Sequence, residues 1–331
     1  MAKLSIIMVS YNEKDYIAEA IESVIAQSFT DWELIIGDDG SNDGTLEIIK
    51  NYKDKYPEKI KFYTMNRNDG ITVPSARVSN NLKHGFKIAS GSYLSVLDGD
   101  DFFISTKKFE NEISFLDNNK NYVATVSDFK YVFDASEKNY VIRNFGRCNF
   151  FWACEYSHLS CFTFRKECLL KLINNFFDDT GMVFSIALAG KWKYTRSVDF
   201  AYRQRNDGIM KKTSSIKLCI LELLIYNQIL SKTKKYKVAS LSRFYKPMRY
   251  VFKNRGKINM EIDSYVDYLK YDICGIITNL LNYDRLKLSL KIKYKKLMLC
   301  AFVSYVFFRC LKKVGKFFFR NSGGKHASKE V

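Results

Sequence analysis

The sequence has few of the residues that interrupt or cross-link a chain. Its 331 residues include only 3 prolines and no long Ser/Gly-rich tract, which predicts little disorder outside residues 322–331. The 8 cysteines form no CxxC pair and no zinc-type spacing with the 3 histidines. We therefore interpret the cysteines as reduced thiols packed in a core, for which an apolar fraction of 47% is ample.

Long hydrophobic runs are also lacking. The longest run of low polarity, residues 297–308, is shorter than the ~20 residues that a membrane-spanning helix needs. Residues 4–10 follow a single lysine and lead into a polar helix start, which indicates a first strand rather than an export signal. These absences predict a cytoplasmic chain.

Negative charge is scarce in only one part of the chain. Residues 211–331 carry 27 basic and 7 acidic side chains, a net +20, whereas the first 210 residues carry 26 and 28, a net −2. We expect a boundary near residue 210, followed by a helical and basic extension. Such a polycation indicates an acidic partner surface, either anionic lipid or nucleic acid.

The pattern near the end of this extension favours lipid. On a helical wheel one face holds Arg309, Lys312, Lys313, Lys316 and Arg320, and another holds Val303, Phe307, Leu311, Val314 and Phe318. Residues 285–320 would therefore bind an anionic membrane surface peripherally. A helix docked on the protein or on a coiled-coil partner is the alternative. The phenylalanines lie on the apolar stripe and no nucleic-acid motif is present, which argues against nucleic acid.

Apolar runs alternate with helical patterns along the first hundred residues. Strands are predicted at residues 4–9, 32–36, 60–64 and 92–97, and helices at residues 13–27 (capped by Asn12), 45–56 and 75–89. This alternation predicts an open, twisted parallel sheet with ligands outside the carboxyl ends of its strands. Strands near 121–133 and 139–143 are expected to form a second, partly antiparallel layer, and residues 161–164 are predicted as another strand.

Clusters of aspartates follow two of the predicted strands, at residues 38–39 and 98–101. Crowded carboxylates repel one another, so such clusters persist most readily when a cation or hydrogen-bond donors compensate them. The spacing of Asp98 and Asp100 lets both reach one hard cation, and Gly99 would let a ligand approach the backbone. Phosphate oxygens would complete a magnesium or manganese shell, which indicates a nucleotide-using transferase.

At this point the chain resembles the inverting nucleotide-sugar transferases of glycosyltransferase family 2. The matching motifs lie at residues 5–13, 25–29, 32–41, 43–45 and 89–101, within a resemblance that covers about residues 3–207. The resemblance implies an α/β GT-A fold, Rossmann-like, with a mostly parallel twisted sheet and flanking helices. The expected organisation is a catalytic domain at 1–210, the basic extension at 211–321 and a flexible tail at 322–331.

The resemblance also implies roles for individual residues at the donor site. Tyr11 and Glu13 would line the nucleoside pocket, and Asp39 would accept a hydrogen bond from the base or the ribose. Asp98 and Asp100 would form the site of Mn²⁺ or Mg²⁺, with Asp98 holding the ribose or a metal-bound water. The cation would offset charge on the departing diphosphate.

An acidic pair downstream, Asp178 and Asp179, matches the position of the family's general base. Asp179 would remove the proton of the acceptor hydroxyl, giving a single displacement with inversion; a helix cap is the alternative. Asp38 and Asp101 would serve either the donor site or only as capping and loop residues.

Five further residues have weaker motif support. Arg77 would contact the diphosphate or be a surface arginine, and Arg203 and Arg205 would close over the diphosphate or belong to a solvated basic loop. His158 and Trp152 would contact the acceptor, or be structural.

Together these features predict an enzyme that transfers a sugar from a nucleotide-sugar to a saccharide acceptor. The expected donor nucleotide is UDP, the most frequent in the family, with dTDP or GDP as alternatives. With the basic extension, the expectation is a lipid-linked acceptor at the inner face of a bacterial membrane, in cell-surface polysaccharide synthesis. A catalytically inactive nucleotide-binding assembly protein is the alternative. The presence of Asp98, Asp100 and Asp179 argues against it.

Overall fold

The computed structural model describes residues 2–68, 74–133, 140–143, 158–170, 182–183, 186 and 189–205. All of them belong to the first of two units into which the chain divides, Met1–Lys212. The second unit, Thr213–Val331, includes the basic extension from residue 213 onward and its predicted membrane-binding face, and lies outside the described residues. In the part of the chain that is described, no helix is both long and apolar enough to cross a membrane.

Strands and helices alternate from the start of the chain. The strands are β1 (Leu4–Ser10), β2 (Trp32–Asp38), β3 (Ile60–Thr64), β4 (Tyr93–Asp98), β5 (Phe102–Phe103), β6 (Tyr122–Phe133), β7 (Tyr140–Arg143), β8 (Phe162–Arg165) and β9 (Lys191–Gln204). The helices are α1 (Ile17–Ile25), α2 (Thr45–Lys55), α3 (Pro74–Ile88), α4 (Lys108–Asn118) and α5 (Glu167–Leu170), with a short 3-10 turn at Leu159–Cys161.

The first four long strands form the parallel core of the sheet, in the order β3-β2-β1-β4. β1 and β2 are buried along their whole length, as expected for parallel strands covered on both faces. The chain moves outward from β1 to β3 and then returns to the other side of β1, so β1 and β4 flank a topological switch point. Ligands of open α/β sheets bind outside the carboxyl ends of the strands at such a point.

The remaining strands continue the same sheet instead of forming a second layer. The order extends as β4-β8-β6-β9-β5, with β7 beside β6, and β8 is antiparallel to both β4 and β6. The predicted second layer is therefore wrong. Sequence analysis also did not predict β9, whose lysines and arginines interrupt any apolar run and whose burial does not follow a regular alternation.

Helix α1 begins at Ile17, later than predicted, because Asn12 does not cap it. Asn12 has a left-handed φ of 53°, its backbone N–H donates to Ser41 Oγ at 2.8 Å, and its Oδ1 accepts from Asn42 N at 3.0 Å. Asn12 thus joins the loop after β1 to the loop after β2. This contact fixes the two strand ends that form the site.

Polar groups inside the core hold β4 against its neighbours. The Glu33 carboxylate accepts from Ser5 Oγ at 2.6 Å and from the backbone N–H of Ser90 at 2.6 Å, just before β4. Burial raises the pKa of Glu33, but hydrogen bonds from Lys61, Ser5 and Ser90 outweigh it and lower that pKa to about 2. The two described cysteines, Cys161 and Cys168, are buried thiols outside any disulfide, as the sequence predicts.

Candidate active site

Both aspartate clusters lie at the carboxyl edge of the parallel strands, on either side of the end of β1. In the sheet register Ser10 pairs with Asp38 and Val9 with Asp98. The clusters are therefore separated by a single strand at the switch point. We call them the Asp39 cluster (Tyr11, Asp39, Arg67 and Arg77) and the Asp98 cluster (Glu13, Asp98, Asp100, Asp101 and His158).

Asp38 shapes the loop that carries Asp39. Its Oδ1 accepts from the backbone N–H groups of Gly40 at 2.9 Å and Ser41 at 2.7 Å, and Gly40 has a left-handed φ of 78° that favours glycine. The side chain of Asp38 thus stabilises its own loop, which is one of the two roles that the sequence predicts for it. The backbone N–H of Asp39 donates to Ser10 O at 2.8 Å, which continues the β1–β2 pairing to the site.

Arg77 holds the Asp39 carboxylate through several charge-assisted hydrogen bonds. Its Nε lies 2.7 Å from Oδ2 and its Nη2 lies 2.6 Å from Oδ1. Both side chains are buried, so Arg77 is not a surface arginine. The bidentate geometry fixes the orientation of the carboxylate on the floor of the Asp39 cluster.

Arg67 is a member of this cluster that sequence analysis missed. Its guanidinium lies 3.8 Å from the centre of the Tyr11 ring and its Nη1 lies 3.3 Å from Asp39 Oδ2. Tyr11 and Arg67 remain partly exposed. Arg67 follows β3, whose carboxyl end lies at the same edge of the sheet as the aspartate clusters. That position in the sequence is the one signal that could have predicted Arg67 as a site residue.

The Asp98 cluster brings four carboxyl groups close together at the end of β4, and their mutual repulsion is visible in two of them. Burial, followed by the charges of Asp100 and Asp98, raises the pKa of Glu13 and of Asp101 well above the ordinary value. Glu13 Oε2 and Asp101 Oδ2 are buried and have no hydrogen-bond partner in the described part of the chain. Buried carboxylate oxygens in this state favour a cation or a donor ligand.

Gly99 gives room to a protein side chain, which corrects the expectation that it opens the backbone to a ligand. A Cβ at Gly99 would lie 2.2 Å from Glu13 Oε2 and 2.9 Å from the Cδ1 of Ile17. Glycine is thus needed here because Glu13 packs against the Asp98–Asp100 segment.

Two arginines near the end of β9 contact the same segment. Arg205 Nη1 lies 3.2 Å from Asp100 Oδ2, while Arg203 donates from its Nε to Asp100 O at 2.9 Å and from its backbone N–H to Asp101 Oδ1 at 2.8 Å. Arg203 belongs to β9, so the alternative that it lies in a solvated basic loop is wrong. Both guanidinium groups also lie over the Tyr16 ring, at 4.8 and 4.7 Å.

His158 faces Asp98 from the segment before β8, with its Nε2 at 3.6 Å from Asp98 Oδ2. One potential ligand atom from each of Asp98, Asp101 and His158 lies within 4.8 Å of the others. Asp100 is not in this group, and its carboxylate contacts Arg205 instead. Asp178, Asp179 and Trp152 lie outside the described residues.

The curled, mostly parallel sheet with flanking helices defines a GT-A fold, with acidic side chains at its switch point. Glycosyl transferase family 2 matches residues 5–189, more than half of the chain, and the chain belongs to this family. The fold expected from the sequence is confirmed. The solved structure of Staphylococcus aureus TarS residues 1–349 with UDP-GlcNAc has the same fold, with a TM-score of 0.60, 16% identity and coverage of 92% of this chain and 89% of that one.

Curated relatives match a shorter part of the chain. The minor teichoic acid biosynthesis protein GgaB of Bacillus subtilis is 40% identical over 125 residues, 37% of this chain and 13% of that protein. The glucosyltransferase WfaP of Escherichia coli, which acts on UDP-Glc and α-D-GlcNAc-diphosphoundecaprenol, is 34% identical over 142 residues, 43% of this chain and 50% of that protein. The matched segments thus span half or less of these relatives.

Proposed function

We propose that the protein transfers a sugar from a nucleotide-sugar, a UDP-sugar in the first instance, to a saccharide acceptor in cell-surface polysaccharide synthesis. The observation that carries this proposal is the pair of acidic clusters on either side of the β1 end at the switch point. The names of GgaB and WfaP support a polymer of the cell surface, and that of WfaP supports a lipid-linked acceptor. The UDP-GlcNAc bound by TarS supports a UDP donor.

The Asp39 cluster binds the nucleoside in this proposal. The partly exposed Tyr11 ring offers an apolar face for a base or ribose. Asp39 supplies an acceptor whose direction Arg77 fixes, so the base or the ribose meets a preorganised carboxylate. Arg67 lies where it adds positive charge beside the same pocket.

The Asp98 cluster fits a divalent cation, Mn²⁺ or Mg²⁺. Asp98, Asp100 and Asp101 offer the hard oxygen ligands that these ions prefer, and the orphaned Oδ2 of Asp101 indicates an unmet need for positive charge. Asp98 and Asp101 converge, while Asp100 becomes available when Arg205 releases it. When bound, the cation neutralises charge on the diphosphate leaving group. Arg203 and Arg205 supply fixed positive charge beside the same group.

Asp179 acts as the general base in the proposed reaction. It takes the proton of the acceptor hydroxyl while that oxygen forms a bond to the anomeric carbon and the bond from that carbon to the diphosphate oxygen breaks. A single displacement of this kind inverts the anomeric configuration. The motif match of the 178–179 pair supports this role.

The basic extension binds the inner face of the cytoplasmic membrane in this proposal, and residues 211–321 form a unit separate from the catalytic domain. The net charge of +20 beyond residue 210 supports binding to anionic lipid. Pelleting of the full chain with anionic vesicles, and not with neutral vesicles or after truncation at 284, is the expected result. Pelleting that is independent of anionic lipid would refute this part.

Calorimetric titration of UDP with and without MnCl₂ tests the donor site. We expect cation-dependent binding that Asp98→Asn weakens by about 10–100-fold and that Asp179→Asn leaves intact. Asp179→Asn should abolish turnover of the matching UDP-sugar, which separates an enzyme from a nucleotide-binding assembly protein. If calorimetry detects no binding of UDP, GDP or dTDP to the wild-type chain, the proposed function is refuted.

A further inference from the structure

His158 uses its two ring nitrogens for different purposes. Nδ1 lies 3.3 Å from the backbone N of Ser160 and 3.0 Å from Ser160 Oγ, so the side chain caps the 3-10 turn Leu159–Cys161 by accepting from a backbone N–H. Nε2, on the other side of the ring, faces Asp98 Oδ2 at 3.6 Å. A nitrogen that accepts from an N–H must keep its lone pair, so in the neutral imidazole the proton sits on Nε2.

The surroundings of the ring fix this orientation. His158 stacks on two rings of β9, Phe200 at 5.2 Å with an interplanar angle of 19° and Tyr202 at 4.8 Å with an angle of 30°. The turn that it caps is held from within the core, where the fully buried Lys108 donates to Cys161 O at 3.3 Å. Turning the ring over would lose the cap and would place the other nitrogen toward Asp98.

We propose that His158 is a positioning residue that holds Asp98 through its Nε2–H and is not itself a ligand of the cation. This inference rests on the proposed function only for the identity of the site as a cation site. Ligation needs a lone pair on Nε2, which would require the proton to move to Nδ1 and would break the cap on Ser160. The separation of 3.6 Å between Nε2 and Asp98 Oδ2 is longer than a hydrogen bond. We expect it to shorten to one when Asp98 binds its ligand, as hydrogen bonds of active sites do.

Nitrogen-15 NMR of histidine-labelled full-length protein tests the assignment directly. The chain has only 3 histidines, so His158→Gln identifies the His158 signals by their loss, and His84→Gln serves as the matched control. We expect long-range proton–nitrogen spectra to show a protonated Nε2 and an unprotonated Nδ1, in the free protein and unchanged with MgCl₂ and UDP. A protonated Nδ1 in the free protein, or its appearance when Mg²⁺ and UDP are added, would overturn the proposal.

Two substitutions separate the functions of the ring nitrogens. Glutamine places an amide N–H near the position of Nε2, whereas asparagine places its Oδ1 near Nδ1 and keeps the cap on Ser160. We expect His158→Asn to weaken binding of UDP with Mg²⁺ by about 10–100-fold with a thermal midpoint close to wild type. His158→Gln should retain most of the binding but have a slightly lower midpoint, because it loses the cap on Ser160. Equal losses in both variants would overturn the proposal. Absence of UDP binding by the wild type would instead refute the proposed function, while the spectrum of the free protein would still decide the tautomer.

Discussion

Removing Arg77 should expose how strongly the Asp39 cluster depends on a buried ion pair. The side chains of Arg77 and Asp39 are 5% and 12% exposed, and three nitrogen–oxygen contacts of 2.6–2.9 Å join them. Arg77→Ala leaves the carboxylate buried without its principal partner. Loss of one member of such a pair costs about 3–5 kcal/mol of the free energy of unfolding.

A double-mutant cycle gives this prediction its control. Asp39→Asn removes the stranded charge, so Arg77→Ala combined with Asp39→Asn should be less destabilised than Arg77→Ala alone. Arg67→Ala is the matched single variant, because Arg67 pairs with the same carboxylate at 3.3 Å but is 40% exposed. We expect it to lose less than about 1 kcal/mol.

Urea unfolding followed by tryptophan fluorescence and far-ultraviolet circular dichroism measures these differences. The three variants should rank with Arg77→Ala least stable, the double variant next and Arg67→Ala close to wild type. An Arg77→Ala variant within about 1 kcal/mol of wild type, or one that Asp39→Asn fails to rescue, would show that the ion pair is not what holds Asp39.

Three further perturbations follow from contacts of the site and the core. Because the folded pKa of Glu33 is about 2 against an ordinary 4.5, the stabilisation of the folded chain by the Glu33 carboxylate is present above pH 4.5 and is lost as the pH falls toward 2. In urea unfolding at pH 7, Glu33→Gln should therefore lower the free energy of unfolding by on the order of 3 kcal/mol, and a loss independent of pH would contradict this. Arg205→Ala frees the Asp100 carboxylate, so calorimetry should show weaker UDP binding with Mn²⁺ but no weaker binding of Mn²⁺ alone; an equal loss of both would argue against the ion pair. Gly99→Ala displaces the Glu13 carboxylate and should weaken UDP binding, an effect that should not add to that of Glu13→Gln; full additivity would place the two effects in different sites.

The parallel half of the fold was predictable because β1, β2 and β4 are largely buried, mostly apolar runs separated by helical patterns. Residues 60–64 were predicted as a strand and β3 spans Ile60–Thr64, while β1 extends one residue beyond its predicted end, to Ser10. The acidic clusters then followed from topology, since parallel strands bring their carboxyl ends to one edge. The start of α1 was mispredicted because Asn12 bonds to the loop after β2, a contact distant in sequence.

The charged contacts of the site were less accessible from sequence. A lysine- and arginine-rich stretch gave no sign that it forms β9, so Arg203 was expected in a loop. Arg67 does not belong to a recognised sequence motif, and its contact with the Tyr11 ring depends on the paths of two separate loops. The direction of His158 toward Asp98 likewise depends on stacking against β9, which only the folded chain brings near.

Diffraction from crystals grown with UDP and MnCl₂, recorded at the manganese absorption edge, tests the central claim most directly. The account predicts one anomalous peak, from a manganese ion bound by carboxylates of the Asp98 cluster. The uridine should lie against Tyr11 and Asp39, with the diphosphate between the uridine and the manganese ion. It also predicts no bond from the cation to His158. A nucleotide bound away from the carboxyl ends of β1 and β4, or manganese bound without these aspartates, would contradict the account.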